Sequence, residues 1–260
     1  MTQDTDLLDL TDDQLDRYSR HLVLRELGGA GQLKLLKAKV LVIGAGGLGS
    51  PLLHYLAAAG IGTLGIIDHD SVDLSNLQRQ TIHKTENIGT SKTESARQAI
   101  HSLNPDVCVQ TYPYKITANN AKALIGEYDI VADGCDNFET RLLVSDMCVA
   151  LKKPLVSAAL GPFDGQLAVF KPHAGEALPC YRCFVPSAPP RSEARSCSDV
   201  GIIGALAGVM GSMQALEVIR EISDFGPSTA GQITFFDAMT LKSRMVKLPK
   251  DPACSACGDS

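Results

Sequence analysis

The chain has 260 residues, 45% hydrophobic and 20% charged, which is the composition of an ordinary globular protein with enough length for a sizeable core. Its formal net charge is -5, and no stretch concentrates Lys and Arg, so nucleic acid is not the expected main partner. The acidic, polar start "MTQDTDLLDLTDDQLDRY" is neither a secretory signal nor a transit peptide. With eight cysteines and no export signal, a cytoplasmic location is expected, with thiols serving metal or catalysis rather than disulfides.

Thr11 and Gln14 fit a capping box that opens a helix over about Asp12 to Arg25, with Leu15, Tyr18, Leu22 and Arg25 on one face and an end near Gly28 and Gly29. "KVLVIGAG" (39–46) reads as a buried strand running into glycines, and "PLLHYLAAAG" as a helix with Pro51 in its first turn. "LGIIDHD" is a second strand. "KTESARQAIHSLN" is a helix stopped by Pro105, and "VCVQTY" is a third strand. "YDIVADG" (128–134) is a fourth strand, followed by a helix over about 138–151 and a fifth strand, "PLVSAAL". Strands alternating with helices at this spacing predict a parallel, doubly wound sheet.

After about Leu160 the pattern changes to strands with alternating faces, "GQLAVFKP" and "GQITFFDAMTLKSRMVKL", separated by a long apolar helix over 201–222. That helix contains Gln214, Glu217 and four glycines in its apolar run, so it is read as a core helix, not a membrane span. The fold class is α/β: a Rossmann-like doubly wound half continued by an antiparallel half in one sheet. The chain is taken as a single domain, 1–260, with a nucleotide-binding half over 1–160 and a carrier- and zinc-binding half over 161–260. The segment "FVPSAPPRSEARSCSD" reads as a mobile loop.

Gly44, Gly46 and Gly49 form G-x-G-x-x-G between a strand and a helix, where backbone amides and the helix dipole favour phosphate. Asp68, ending the next strand, stands where a ribose-holding acid belongs. An enzyme that only holds NAD needs little more. This chain adds Asn76 and Arg79 after the acid, and Lys92 at the far end of the same loop. Two cations and an amide suit a site that breaks a triphosphate, where charge moves onto pyrophosphate. Asp136 in "DGCDN", at the carboxyl end of the fourth strand, is the candidate Mg²⁺ ligand. No Ser/His/Asp arrangement is evident, as expected where positioning and electrostatics carry the reaction. His69 and His83 flank the site, and surface or core roles suit them better than proton transfer.

"RYSRH", "GAGGLGS", Asp68-x-Asp70, "SNLQRQ", "SK", "DGCDN" and "CYRC…CSAC" resemble the ubiquitin-activating-enzyme-like adenylyltransferases, nearest to the molybdopterin-synthase (MoeB-like) and thiazole-synthesis (ThiF-like) branches. The likeness runs from about Leu10 to Gly258. It implies ATP- and Mg²⁺-dependent activation of the C-terminal Gly-Gly carboxylate of a ubiquitin-fold sulfur carrier as an acyl-adenylate. It places Gly44, Gly46, Gly47 and Gly49 against the phosphates and Asp68 on the ribose, with Asp70 beside it. Ser75, Asn76, Leu77, Gln78, Arg79 and Gln80 line the nucleotide together with Lys92, Asp136 and Asn137. Arg20 matches an arginine that reaches the ATP of a second subunit, which implies a homodimer.

Cys180, Cys183, Cys254 and Cys257 form two C-x-x-C pairs that can complete a tetrahedral thiolate site, and four cysteines favour structural Zn²⁺. Cys197, near Arg191 and Arg195, matches a family cysteine able to bond the carrier terminus or a sulfur donor. Cys108 and Cys148 are expected in the core. Cys135 departs from the Thr common in the family. The chain stops soon after Cys257, so sulfur is expected from a separate protein. The alternatives are the same reaction on a thiamine-pathway carrier, a dehydratase acting on a modified tRNA base, an NAD-dependent oxidoreductase, and a non-catalytic scaffold. Only the glycine motif and Asp68 support the oxidoreductase.

Overall fold

A computed structural model of the chain describes residues 9–189 and 201–258. The first helix, α1 (Asp12–Arg17), opens on the expected capping box: Gln14 N donates to Thr11 Oγ1 and Thr11 N to Gln14 Oε1. It is shorter than predicted. Tyr18 leaves helical geometry (φ -98°, ψ 11°), and a second short helix, α2 (Ser19–Leu22), follows. Burial causes the break, because the Tyr18 ring fills the hole above Gly60 and its hydroxyl accepts from Asn104 Nδ2 at 3.0 Å. Gly28, expected past a helix end, begins α3 (Gly28–Lys37) at φ +57°.

β1 (Lys39–Ile43), α4 (Gly49–Ala58), β2 (Thr63–Ile67), α5 (Lys92–Leu103) and β3 (Cys108–Tyr112) lie where the sequence put them. A helix that the pattern did not reveal, α6 (Ala118–Gly126), precedes β4 (Ile130–Asp133). Then come α7 (Phe138–Ala150), β5 (Leu155–Leu160), β6 (Asp164–Phe170), α8 (Tyr181–Phe184), α9 (Gly204–Ser223), β7 (Gln232–Asp237) and β8 (Lys242–Lys247).

One eight-stranded sheet has the order β3-β2-β1-β4-β5-β6-β7-β8. Pairings are parallel from β3 to β5 and antiparallel from β5 onward. Side chains alternate across a strand, so β1 feeds both layers. Val40 and Val42 join α4, α5 and α9 in one core, while Leu41 and Ile43 join α6 and α7 in the other. The parallel half therefore carries helices on both faces, as buried parallel strands require. The order turns between β1 and β4, and the crevice at the carboxyl ends of those strands is where such sheets bind ligands.

Helix α9 is a core helix, and no described helix is long and apolar enough to cross a membrane. Gln214 and Glu217 are nevertheless buried rather than breaking its apolar face. Gln214 Nε2 donates to the carbonyls of Asp133 (2.9 Å) and Val156 (3.0 Å), tying the helix to β4 and β5. Glu217 accepts from Thr229 Oγ1 at 2.8 Å. Cys148 is in the core as expected, whereas Cys108 is exposed at the sheet's first edge strand. Cys197, with Arg191 and Arg195, lies outside the described residues, as does most of the segment read as a loop.

Candidate nucleotide site and cysteine cluster

The β1–α4 turn is built from residues that let main chain approach main chain. Gly44 has φ +92°, which favours glycine, and a Cβ on Gly49 would run into the Gly44 carbonyl. A Cβ on Gly47 would lie 3.3 Å from Ala207 Cβ and 3.6 Å from Arg79 Cγ. On Gly46 it would meet Gln80 Nε2 at 3.7 Å. The glycine turn is thus packed against the loop that carries Arg79 and Gln80, and against α9. On its other side, Gly44 faces the carbonyl of Gly134 in the "DGCDN" turn.

Asp68 immediately follows β2 with both oxygens engaged. Oδ2 accepts from Ala45 N at 2.8 Å and Oδ1 from Asp70 N at 2.9 Å. These bonds aim the carboxylate at the glycine turn and leave lone pairs able to accept from a ligand. Lys92, the first residue of α5, is 6% exposed and donates to Asp70 Oδ2 at 2.8 Å. This rules out a solvated surface role for Lys92. Asp70 feels burial pushing its pKa up, but the Lys92 hydrogen bond and charge outweigh that and hold it below the ordinary carboxylate value.

Residues 74–76 form a single 3₁₀ turn capped by Asp73. Asn76 Oδ1 accepts from Asp73 N at 3.2 Å, whereas among the described residues Nδ2 has only Ser75 Oγ at 3.5 Å. The amide nitrogen is therefore a donor available to a ligand. Arg79 is half-buried and donates from Nη1 to Ser75 O at 3.1 Å; among the described residues no carboxylate pairs with it. Leu77 is half-buried. The carbonyl of Gln78 abuts Gly204 so closely that no side chain fits there. Gln80 is buried, and its Oε1 has no partner among the described residues.

Asp136 is exposed at the carboxyl end of β4. Asn137 caps α7, accepting from Thr140 N at 2.9 Å, so one of its two polar atoms is structural. The sequence reading missed what holds this turn. Arg141 is buried beneath it, donating to Ser157 Oγ (2.9 Å), Ala158 O (2.6 Å) and Cys135 O, and lying 3.3 Å from Asp133. Asp133 Oδ1 accepts from Cys135 N at 2.9 Å. Burial opposes the guanidinium charge, but Asp133 outweighs it and raises the Arg141 pKa. The available signal was an arginine one helical turn beyond the Asn137 cap, facing back to the strand-end acid.

Arg20 is exposed on α2 and is not brought to this chain's glycine turn. Its neighbours anchor it elsewhere. Tyr18 sits over Gly60 beside Asn104, which also donates to Ala57 O, and His21 Nδ1 bonds Gln32, which donates to Ala59 O. All of these lie at the carboxyl end of α4, a ten-residue helix whose amino end is the glycine turn. At 1.5 Å per residue the two ends are about 15 Å apart.

At the far end of the sheet, Cys180 and Cys254 lie with sulfurs 3.5 Å apart, Cys183 and Cys257 likewise at 3.5 Å, and Cys180 and Cys183 at 4.0 Å. All four sulfurs fall within 4.8 Å of one another. Tetrahedral zinc–thiolate bonds of about 2.3 Å place sulfurs about 3.8 Å apart, so these four residues fit Zn²⁺. Asp251 N points at Cys183 Sγ at 3.4 Å. Burial resists ionisation of Cys254, but the amides of Ala256 and Cys257 outweigh it and hold that thiol below its ordinary value.

A doubly wound sheet, a glycine turn at its switch point and an acid on the following strand define a nucleotide-binding type of α/β chain, here extended by antiparallel strands and a four-cysteine cluster. The ThiF family matches residues 18–256, and this chain belongs to that family. It is 43% identical over 251 residues to a sulfur carrier protein adenylyltransferase of Thermus thermophilus, covering 96% of this chain and 93% of the relative. It is 47% identical over 251 residues to the adenylyltransferase and sulfurtransferase MOCS3 of Bos taurus, covering 96% of this chain but 54% of MOCS3. The chain thus spans about half the length of that relative. Among solved structures, E. coli MccB with ATP superposes with a TM-score of 0.81 at 24% identity, over 94% of this chain and 75% of MccB, which is a likeness of fold.

Proposed function

We propose that this chain is an ATP-dependent adenylyltransferase that activates the C-terminal Gly-Gly carboxylate of a ubiquitin-fold sulfur carrier, releasing pyrophosphate, in molybdopterin synthesis. The observation that carries the reading is the 43% identity to a sulfur carrier protein adenylyltransferase over 93% of that relative's length. The site's geometry supports it. Arg79 lies against the glycine turn with no carboxylate partner among the described residues, Lys92 is held by Asp70 beside the strand-end acid, and Asn76 Nδ2 keeps a hydrogen to donate beyond its long bond to Ser75 Oγ. A scaffold protein or an NAD oxidoreductase has no use for that set.

The chemistry is an in-line displacement. A carrier carboxylate oxygen bonds to the α-phosphorus as the bond to the bridging oxygen breaks, and pyrophosphate leaves with the electron pair. Arg79 and Lys92 oppose the charge moving onto the leaving group, Asn76 orients a phosphate oxygen and Asp68 holds the ribose. Asp136 is the residue of this chain that would hold Mg²⁺, which supplies further charge neutralisation when bound. Arg20, whose neighbours Tyr18 and His21 are anchored at the opposite end of α4 from the glycine turn, is supplied to the second subunit of a homodimer. A separate sulfur donor fits the near full-length match to a relative named for adenylyl transfer alone. The antiparallel half docks the carrier, and the location is cytoplasmic.

Carrier-dependent exchange of pyrophosphate into ATP tests the proposal, with molybdopterin-type and thiamine-type carriers in parallel. Exchange with the first is expected. Exchange with the second alone would move the enzyme to the other pathway, and exchange with neither would overturn the reading. Arg79→Ala should cost roughly 100- to 1,000-fold in rate, the scale of losing a transition-state donor. Mixing Arg20→Ala chains with Asp136→Ala chains should restore exchange, because such a pair retains one complete site; no restoration would overturn the shared site.

A further inference from the structure

His83 is 5% exposed and touches the glycine turn, yet the reaction above gives it no part. Its Nε2 lies 2.9 Å from Ala45 O and its Nδ1 2.9 Å from Ser95 Oγ. A carbonyl can only accept, so Nε2 carries the proton, and Nδ1 accepts from the Ser95 hydroxyl. Both ring nitrogens are committed, which leaves none to exchange a proton with substrate.

Ala45 is the one residue with a side chain between Gly44 and Gly47, and both its peptide groups are gripped. Its N–H goes to Asp68 and its C=O to His83. The bonds close a ring: Lys92 to Asp70, Asp70 N to Asp68, Asp68 to Ala45 N, Ala45 O to His83, and His83 to Ser95. Ser95 and Lys92 are both on the first turn of α5, so the circuit ends where it began. Glycine-rich backbone has little stiffness of its own, and direction must come from outside it.

We infer that His83 is a positioning residue of the nucleotide site: as a neutral imidazole it holds the Ala45 carbonyl and thereby fixes the direction of the turn's amides, in one ring with Asp68 and Lys92. The inference rests on the function proposed above for its effect on ATP, though not for its effect on the turn. Losing one such bond corresponds to about tenfold in affinity.

The test compares His83→Gln, whose amide nitrogen can still donate to Ala45, with His83→Phe, which cannot, and with Ser95→Ala, which releases the tautomer with a smaller change. Three readouts are taken on the whole chain: hydrogen exchange of the Gly46 and Gly47 amides, nitrogen NMR of the imidazole, and KM for ATP and for carrier. The wild-type ring should show protonated Nε2, with a mixture of tautomers in Ser95→Ala. His83→Phe should exchange the two amides faster and raise KM for ATP about tenfold with the carrier KM unchanged, and His83→Gln should restore both. Should His83→Phe fail to fold, Ser95→Ala still carries the comparison. Unaltered amide exchange in the variants, or a protonated Nδ1 in the wild type, would overturn the inference. A wild-type chain that never binds ATP would instead overturn the proposed function while leaving the exchange and NMR results to judge the ring.

Discussion

His83 shows how much one residue's surroundings decide. Burial is the largest influence on its pKa and lowers it, the bond to Ala45 and the charge of Asp68 pull the other way, and Lys92 and His54 push it further down. A histidine whose folded pKa lies below its ordinary value of 6.5 is harder to protonate folded than unfolded. Above pH 6.5 both states hold it neutral and stability is full. As pH falls below 6.5 the unfolded chain takes up the proton first, and stability drops until the folded pKa is passed. Urea unfolding from pH 7.5 to 5 should show this decline, and His83→Gln should flatten part of it. An identical slope in the two proteins would contradict the assignment.

At this scale the sequence was informative about charges and silent about their restraints. Gly44, Asp68, Arg79 and Lys92 stand out because their types and spacing imply phosphate. The residues that aim them do not. Arg141, Gln214 and His83 each bond a main-chain carbonyl distant in sequence, and such bonds leave no periodicity to read.

Among the elements, the strands and, apart from α6, the helices after them were legible because buried parallel strands are continuous apolar runs bounded by glycine or proline. Helices α1 and α2 were predicted as one. Capping marked the start correctly, but tertiary burial of Tyr18 overrode local pattern at the break. Helix α3, starting from two glycines, contradicts local propensity and is held by packing of Leu35 and Gly31 against the core and Ser223. The break at Tyr18 makes the mount of Arg20 depend on Asn104, which is completely buried and bonds both Tyr18 Oη and Ala57 O. Asn104→Ala leaves both without that donor and should cost roughly 1–3 kcal/mol in urea unfolding. Its further effect should fall on exchange activity in the manner of Arg20→Ala, with the ATP affinity of an isolated chain preserved. A loss of ATP affinity equal to the loss of stability would argue that α4 as a whole had shifted.

For the whole molecule, the cysteine cluster joins residues more than seventy positions apart, tying the run after β8 to the short helix α8. The C-terminal run 248–258 contains no helix or strand and buries little apart from Cys254, so packing alone gives it scant support. We expect one zinc per chain by elemental analysis, and a lower melting temperature after chelation, with the loss concentrated in this tail by hydrogen exchange. Cys254→Ser should behave like the chelated protein. The pairing of two C-x-x-C motifs was legible from sequence because thiolate spacing is itself the ligand geometry. The continuity of the sheet from β3 to β8 was legible too, since alternation changed period without a linker between the halves.

β8 ends that sheet, and every one of its residues is exposed, including Lys242, Arg244 and Lys247. Arg244 lays its guanidinium 5.3 Å from the ring centre of Phe235, so the charge also shields an aromatic on the neighbouring strand. Unsatisfied backbone along such a rim would otherwise recruit a rim from another molecule and begin a filament. Cations spaced along it make two identical rims repel, so crowding in a cell would not zip these sheets end to end.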